Sequence, residues 1–332
     1  MTGQYRIFGS ELSPYSVKVR SYFRYKGIPH EWIIRNQQNL EEFSKYAKLP
    51  LIPLVVTPDD RGLQDSTPII EAMEAQTPEP SIHPDDAVAA FVSALLEEYG
   101  DEWLNKPMFH YRWFYEADQI STAERIAASA FGASGEGLAK AAAQVRERMA
   151  GRLHFVGSSE QTRPIIEGSL HRLLGLLEAH LDGRDYLFGR RPSFGDFGLF
   201  AQLYECSTDP TPGAIMRAEA PRTLAWCERM LKPANDGPFE DWAAVRDTLL
   251  PILGQEVAGL FLPWSTANAQ ALMAGEETFA AVLDGQDFSQ DVQKYHARSL
   301  QALRQRYAGL ATADRAAVDG ALADTGCLGH LG

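Results

Sequence analysis

The sequence predicts an α/β domain, then an all-α domain, then a helical C-terminal extension. Three observations predict this. Short strand-like runs alternate with helical runs up to about residue 80. A proline- and acid-rich stretch follows, from Thr77-Pro78-Glu79-Pro80 to Pro84-Asp85-Asp86, with the composition of a linker. Beyond it the apolar periodicity is almost entirely helical. The expected divisions are residues 1–80, 87–253 and 254–332. At 332 residues the chain exceeds an ordinary single domain, and at 45% hydrophobic and 23% charged it can bury a sizeable core.

In the first division Tyr5 to Phe8 reads as a strand. Val19, Tyr22, Phe23 and Lys26 follow helical spacing, and Gly27-Ile28-Pro29 ends that helix. Glu31 to Ile34 is a second strand, Leu40 to Tyr46 a short helix, and Leu51 to Val56 a third strand with Pro53 near its entrance. Asp59-Asp60-Arg61-Gly62 signals a hairpin, and Asp65-Ser66-Thr67-Pro68 opens a helix that runs on from Ile69. The predicted order is β-α-β-α-β-β-α.

Ser13-Pro14-Tyr15-Ser16 sits where the first strand turns into the first helix. Ser13 suits an N-cap and Pro14 the first helical position. The first amides of such a helix are unsatisfied and lie at the positive end of the helix dipole, so they favour a thiolate or carboxylate. Ser66 stands at a second predicted helix start.

Other function classes are disfavoured. The formal net charge of −13, without a basic stripe, argues against nucleic-acid binding. No apolar run is long enough to span a membrane. The opening Met-Thr-Gly-Gln-Tyr lacks the pattern of a signal peptide, so a cytoplasmic location is expected. Cys206, Cys227 and Cys327 are odd in number and far apart, which suggests neither a disulfide framework nor a metal site. Glu97, Glu98, Asp101 and Glu102 read as a solvated acidic face.

Taken together, these marks resemble the glutathione S-transferase superfamily over about residues 5 to 235. Ser13-Pro14-Tyr15-Ser16 is similar to the Cys-Pro-Tyr-Cys of glutaredoxins with oxygen in place of sulfur. The run Ser13 to Arg20 is similar to the serine-type segment of the zeta and omega classes. The resemblance implies a thioredoxin-like first domain with a cis Ile52–Pro53 bond. It implies that Ser13, or in reserve Ser16 or Tyr5, donates to the sulfur of glutathione as co-substrate. It assigns glutathione binding to Ser13, Ile52, Pro53, Asp65 and Ser66. The aromatic run that holds His110, Arg112 and Trp113 reads as core, and the resemblance implies that the same helix also lines the pocket of a small hydrophobic electrophile. A homodimer is also implied. The pattern departs at Leu51, where many members carry a Lys or Gln that holds the glycine carboxylate of glutathione, and Lys48 is the nearest cation.

Later, Ile166, Leu170, Leu173, Leu174, Leu177 and Leu181 predict a core helix. Ser193 with Asp196 predicts a capping box for the next. Phe279, Val282 and Leu283, then Tyr295, Leu300, Leu303 and Tyr307, suggest two amphipathic helices in the extension. Two functions remain open: a glutathione-dependent transferase, lyase or isomerase, and a non-catalytic protein that keeps the fold for binding.

Overall fold

A computed structural model describes residues 4–332; Met1, Thr2 and Gly3, part of the segment behind the signal-peptide expectation, lie outside the described residues. The first domain is built from β1 (Tyr5–Gly9), α1 (Pro14–Tyr25), β2 (His30–Ile34), α2 (Leu40–Tyr46), β3 (Leu54–Val56), β4 (Gly62–Gln64) and α3 (Ser66–Gln76). The sheet order is β2-β1-β3-β4, with β1–β2 parallel and the other pairs antiparallel. This is the predicted β-α-β-α-β-β-α order in a thioredoxin-like arrangement. Ile7, Val17, Val19, Phe23, Val55 and Ile69 are fully buried between the sheet and its helices.

The connection to the second domain is fastened rather than loose. Lys26 Nζ donates to the carbonyls of Pro78 (3.1 Å) and Pro80 (2.8 Å) and pairs with Glu74 (2.7 Å). Eight helices follow: α4 (Ala87–Glu102), α5 (Asn105–Phe114), α6 (Glu116–Phe131), α7 (Gly135–Ala150), α8 (Arg163–His180), α9 (Phe194–Thr208), α10 (Pro210–Glu219) and α11 (Pro221–Met230). Asp86 caps α4 by accepting from the Ala89 amide at 2.9 Å. At the start of α9 the Asp196 carboxylate accepts from the Ser193 amide (2.8 Å) and hydroxyl (2.7 Å). Helices α4 and α9 cross so closely that a side chain on Gly100 would meet the Gly198 backbone at 2.6 Å. One hydrophobic core runs through both domains, and α1 docks on the end of α11 through Arg24 and the Leu231 carbonyl (2.8 Å).

After α12 (Trp242–Ile252), the extension runs through a π-helical segment (Leu253–Phe261), α13 (Leu262–Ala274), a hairpin of β5 (Thr278–Leu283) and β6 (Gln286–Asp291), then α14 (His296–Ala308) and α15 (Thr312–Leu322). The hairpin corrects the expectation of a helix around Phe279. Asp284 and Gly285 have φ of 50° and 71°, the two left-handed residues of a tight hairpin turn. Phe279 and Leu283 fall on one buried strand face, while Val282 points out. Leu300, Leu303 and Tyr307 bury one face of α14. Among the described residues no helix is long and apolar enough to cross a membrane.

Candidate active site

Strand register alone brings three separate pieces of sequence to one edge of the sheet. Phe8 pairs with Leu54, so antiparallel continuation sets Pro53 beside Gly9. Leu54 also pairs with Gln64, which sets Asp65 on the other side of Pro53. The turn from Gly9 to Ser13, the Ile52–Pro53 bond and Asp65–Ser66 therefore share an edge, where α1 and α3 both begin. The Ile52–Pro53 bond is cis, as the resemblance implies.

Ser13 is the N-cap of α1. Its Oγ accepts from the Ser16 amide at 3.3 Å, which leaves its own proton free to donate. The loop before it is braced from two sides. Arg112 Nη1 donates to the Leu12 carbonyl at 3.0 Å. Arg20 pairs with Glu11 (Nη2–Oε2 2.8 Å) and lies over the Trp32 ring at 4.3 Å. On the neighbouring loop the Gln64 side chain accepts from the amides of Lys48 (2.7 Å) and Leu49 (3.0 Å). It also donates to the carbonyls of Leu49 and Leu51 (both 2.8 Å). That clamp holds the chain entering Pro53, with Leu51 59% exposed.

The Asp65–Ser66 end is closed. Asp65 has φ 80° and ψ 125°, a strained conformation for a residue with a side chain. Ser66 is 3% exposed, and its hydroxyl donates to Asp101 Oδ2 at 3.3 Å. Lys18, fully buried on α1, pairs with Asp101 (2.6 Å) and Glu97 and donates to Thr67 Oγ1 (3.1 Å). Tyr15 donates to the Asp101 carbonyl at 3.0 Å. Burial holds the Asp101 carboxyl up at about 7 despite Lys18, with Glu97 adding to the rise. Burial also raises Asp65 and Glu98 above the ordinary carboxylate range. The acidic face of α4 is thus interior, not solvated: α1, α3 and α14 cover it, and Glu97, Asp101 and Glu102 are buried. The extension adds Tyr295, whose hydroxyl donates to Asp65 Oδ2.

Several predicted site residues lie elsewhere. Ser16 is completely buried, with its Cβ 2.9 Å from where a side chain on Gly9 would begin, so it faces the sheet. Tyr5 sits at the far end of β1, about 13 Å from Gly9 at roughly 3.3 Å per strand residue. His110 is buried between Ser158 Oγ (2.7 Å) and Glu167 (3.0 Å). Trp113 packs with Ala123 and Ala127 in a core cluster of its own. Arg112 is spent on Glu205 (2.7 Å) and Asp209 (2.6 Å) and reaches the site only through Leu12. Lys18, Gln64, Asp101 and Tyr295 are the residues sequence reasoning missed. Only Gln64, polar in the last position of a short strand, carried a local signal.

This combination of a thioredoxin-like domain and an all-helical domain joined through one core defines the class. Residues 7–81 match the family model of the glutathione S-transferase N-terminal domain, and residues 136–229 match that of the C-terminal domain. Together the matches span just over half of the chain, which belongs to the glutathione S-transferase superfamily. Among solved structures, it is similar to a glutathione S-transferase from Methylobacterium radiotolerans in complex with glutathione sulfonate. That match has 21% identity and a TM-score of 0.45, over 68% of this chain and 90% of that one. A glutathione S-transferase from Methylobacillus flagellatus with glutathione bound is 19% identical at TM-score 0.43, over 74% and 98%. A maleylacetoacetate isomerase from Anaeromyxobacter dehalogenans is 20% identical at TM-score 0.39, over 68% and 84%. A comparison with curated proteins finds no match.

Proposed function

We propose that this protein is a glutathione-dependent enzyme that uses the thiolate of glutathione against a small hydrophobic electrophile, as a transferase, lyase or isomerase. One observation supports the reading above the rest: the register that brings Ser13, Ile52–Pro53 and Asp65–Ser66 to one sheet edge with two helix starts. In this reading Ser13 donates its free proton to the sulfur. The α1 amides behind it favour thiolate over thiol, in the serine-type manner of the zeta and omega classes. The Ser66 amide and hydroxyl receive the γ-glutamyl carboxylate at the start of α3, and Asp65 accepts from the ammonium. The resemblance adds a cytoplasmic homodimer. A single-chain mass by sedimentation at micromolar concentration would remove the dimer.

A second reading has its own observation. Ser66 and Asp65 are already engaged by Asp101 and Tyr295, as expected of a binding protein that keeps the fold without the chemistry. Calorimetric titration with glutathione, paired with a thiol-addition assay on a model electrophile, separates the two. Saturable binding with accelerated addition supports the enzyme. Neither effect, in protein that is folded by circular dichroism, supports the second reading.

A further inference from the structure

The extension reaches the candidate site at the proposed γ-glutamyl anchor. Tyr295, immediately before α14, reaches Asp65 with its hydroxyl. The next turn is fixed where Ser299 donates to Glu98 of α4 and the His296 ring packs edge-on against Trp264. Further along, Arg306 pairs with Glu71 of α3 at 2.8 Å. The base of the helix is held by apolar burial of Leu300, Leu303 and Tyr307. Behind Tyr295 the chain is pinned again, where the Gln293 amide donates to Asn268 Oδ1 (2.7 Å) and Asn268 Nδ2 donates to the Gln293 carbonyl (2.9 Å).

Between these two fixed points stand Lys294 and Tyr295. Tyr295 is 49% exposed, so its ring is not held by packing as its neighbours on α14 are. Its polar contact is with a strained aspartate that has a raised pKa and lies outside the extension. A side chain held by one hydrogen bond between two anchored segments is cheap to displace.

We infer that Tyr295 is a latch on the Asp65 anchor, released by ligands that bring an ammonium group to that carboxylate. The inference rests on the glutathione reading above. An ammonium replaces the neutral hydroxyl with a donor that itself carries charge, so an ion pair with the Asp65 carboxylate takes the place of a hydroxyl–carboxylate bond. A ligand without one leaves the latch shut. The latch therefore lowers the apparent affinity for ligands that must reach Asp65, by the fraction of molecules that are closed.

The test compares the full-length wild type with Tyr295→Phe, which keeps the ring and removes the hydroxyl. Binding is measured by calorimetry with glutathione and with its analogue lacking the α-amino group. The expected result is that Tyr295→Phe binds glutathione roughly two- to tenfold more tightly, the worth of one released hydrogen bond. The deaminated analogue, which leaves the latch shut, should bind both proteins alike, so the ratio of affinities for glutathione over the analogue should rise in the variant. If the variant binds glutathione with equal or lower affinity than wild type, the latch is refuted and the glutathione reading stands. If neither protein binds glutathione at millimolar concentration, the glutathione reading and the latch fall together.

Discussion

The two ends of the candidate site are built differently. At the Ser13 end the polar groups are braced from behind and open in front: Arg112 and Arg20 hold the loop, Gln64 holds its neighbour, and the Ser13 proton is unspent. At the Asp65 end the anchoring groups are engaged: Ser66 donates to Asp101, Lys18 pairs with Asp101 and Glu97, and Asp65 accepts from Tyr295. The difference teaches where the free energy sits. The open end is rigid because its supports lie outside the site, so a ligand group there displaces little. The closed end is rigid because its own ligand-binding groups are partnered, so a ligand there must exchange one set of hydrogen bonds for another. Binding at the closed end is then a small difference between two satisfied states.

The sharpest way to break this comparison is to remove the cation of the closed end. Lys18→Met leaves Glu97 and Asp101 buried without a counter-charge, and breaking such a group costs about 3–5 kcal/mol. A urea midpoint with an unchanged slope should report that loss; a shift below about 1 kcal/mol would show that the acids are hydrated after all. The pH dependence should be smaller. Asp101 holds its proton up to about 7 in the folded chain, against an ordinary value of 3.8. The stability this proton contributes is present below the lower value and is lost as the pH rises through about 7. Wild type should therefore lose stability between about pH 5 and about pH 8, and Asp101→Asn should lose less. Equal slopes for the two proteins would place the proton elsewhere. The smallest effect belongs to the open end. Leu51→Lys supplies an exposed cation where the resemblance expects one. An exposed pair is worth roughly 0.2–1 kcal/mol, so the Kd for glutathione should fall by up to about fivefold, and addition of salt should erase the gain.

The first domain was legible because its signals are local. Ser13-Pro14 is a helix start, Gly27-Ile28-Pro29 a helix stop, and Asp59 to Gly62 a hairpin, each decided within four residues of chain. Pro53 at a strand entrance pointed to the site edge for the same reason. The hairpin of the extension was also written locally, in Asp284-Gly285, but Val282 beside Leu283 imitates a helical stripe, and the alternation of Phe279, Ala281 and Leu283 is the pattern that decides. The closed end was not legible. Lys18 reads as the polar face of a helix, and Glu97 to Glu102 as a solvated run, until tertiary packing sets them against each other across 79 and 83 residues. Tyr295 meets Asp65 across 230 residues, and no local rule reaches that far.

The central claim is that Ser13 acts on the sulfur while the closed end binds. The most direct measurement compares wild type with Ser13→Ala in two quantities, the glutathione Kd and the rate of thiol addition to a model electrophile. The account predicts a rate loss of roughly 10²–10³-fold, the range seen when one donor to a developing anion is removed, with the Kd changed by less than about threefold. An intact rate would contradict it. So would a parallel loss of affinity, which would make Ser13 a ground-state anchor rather than the residue that holds the thiolate.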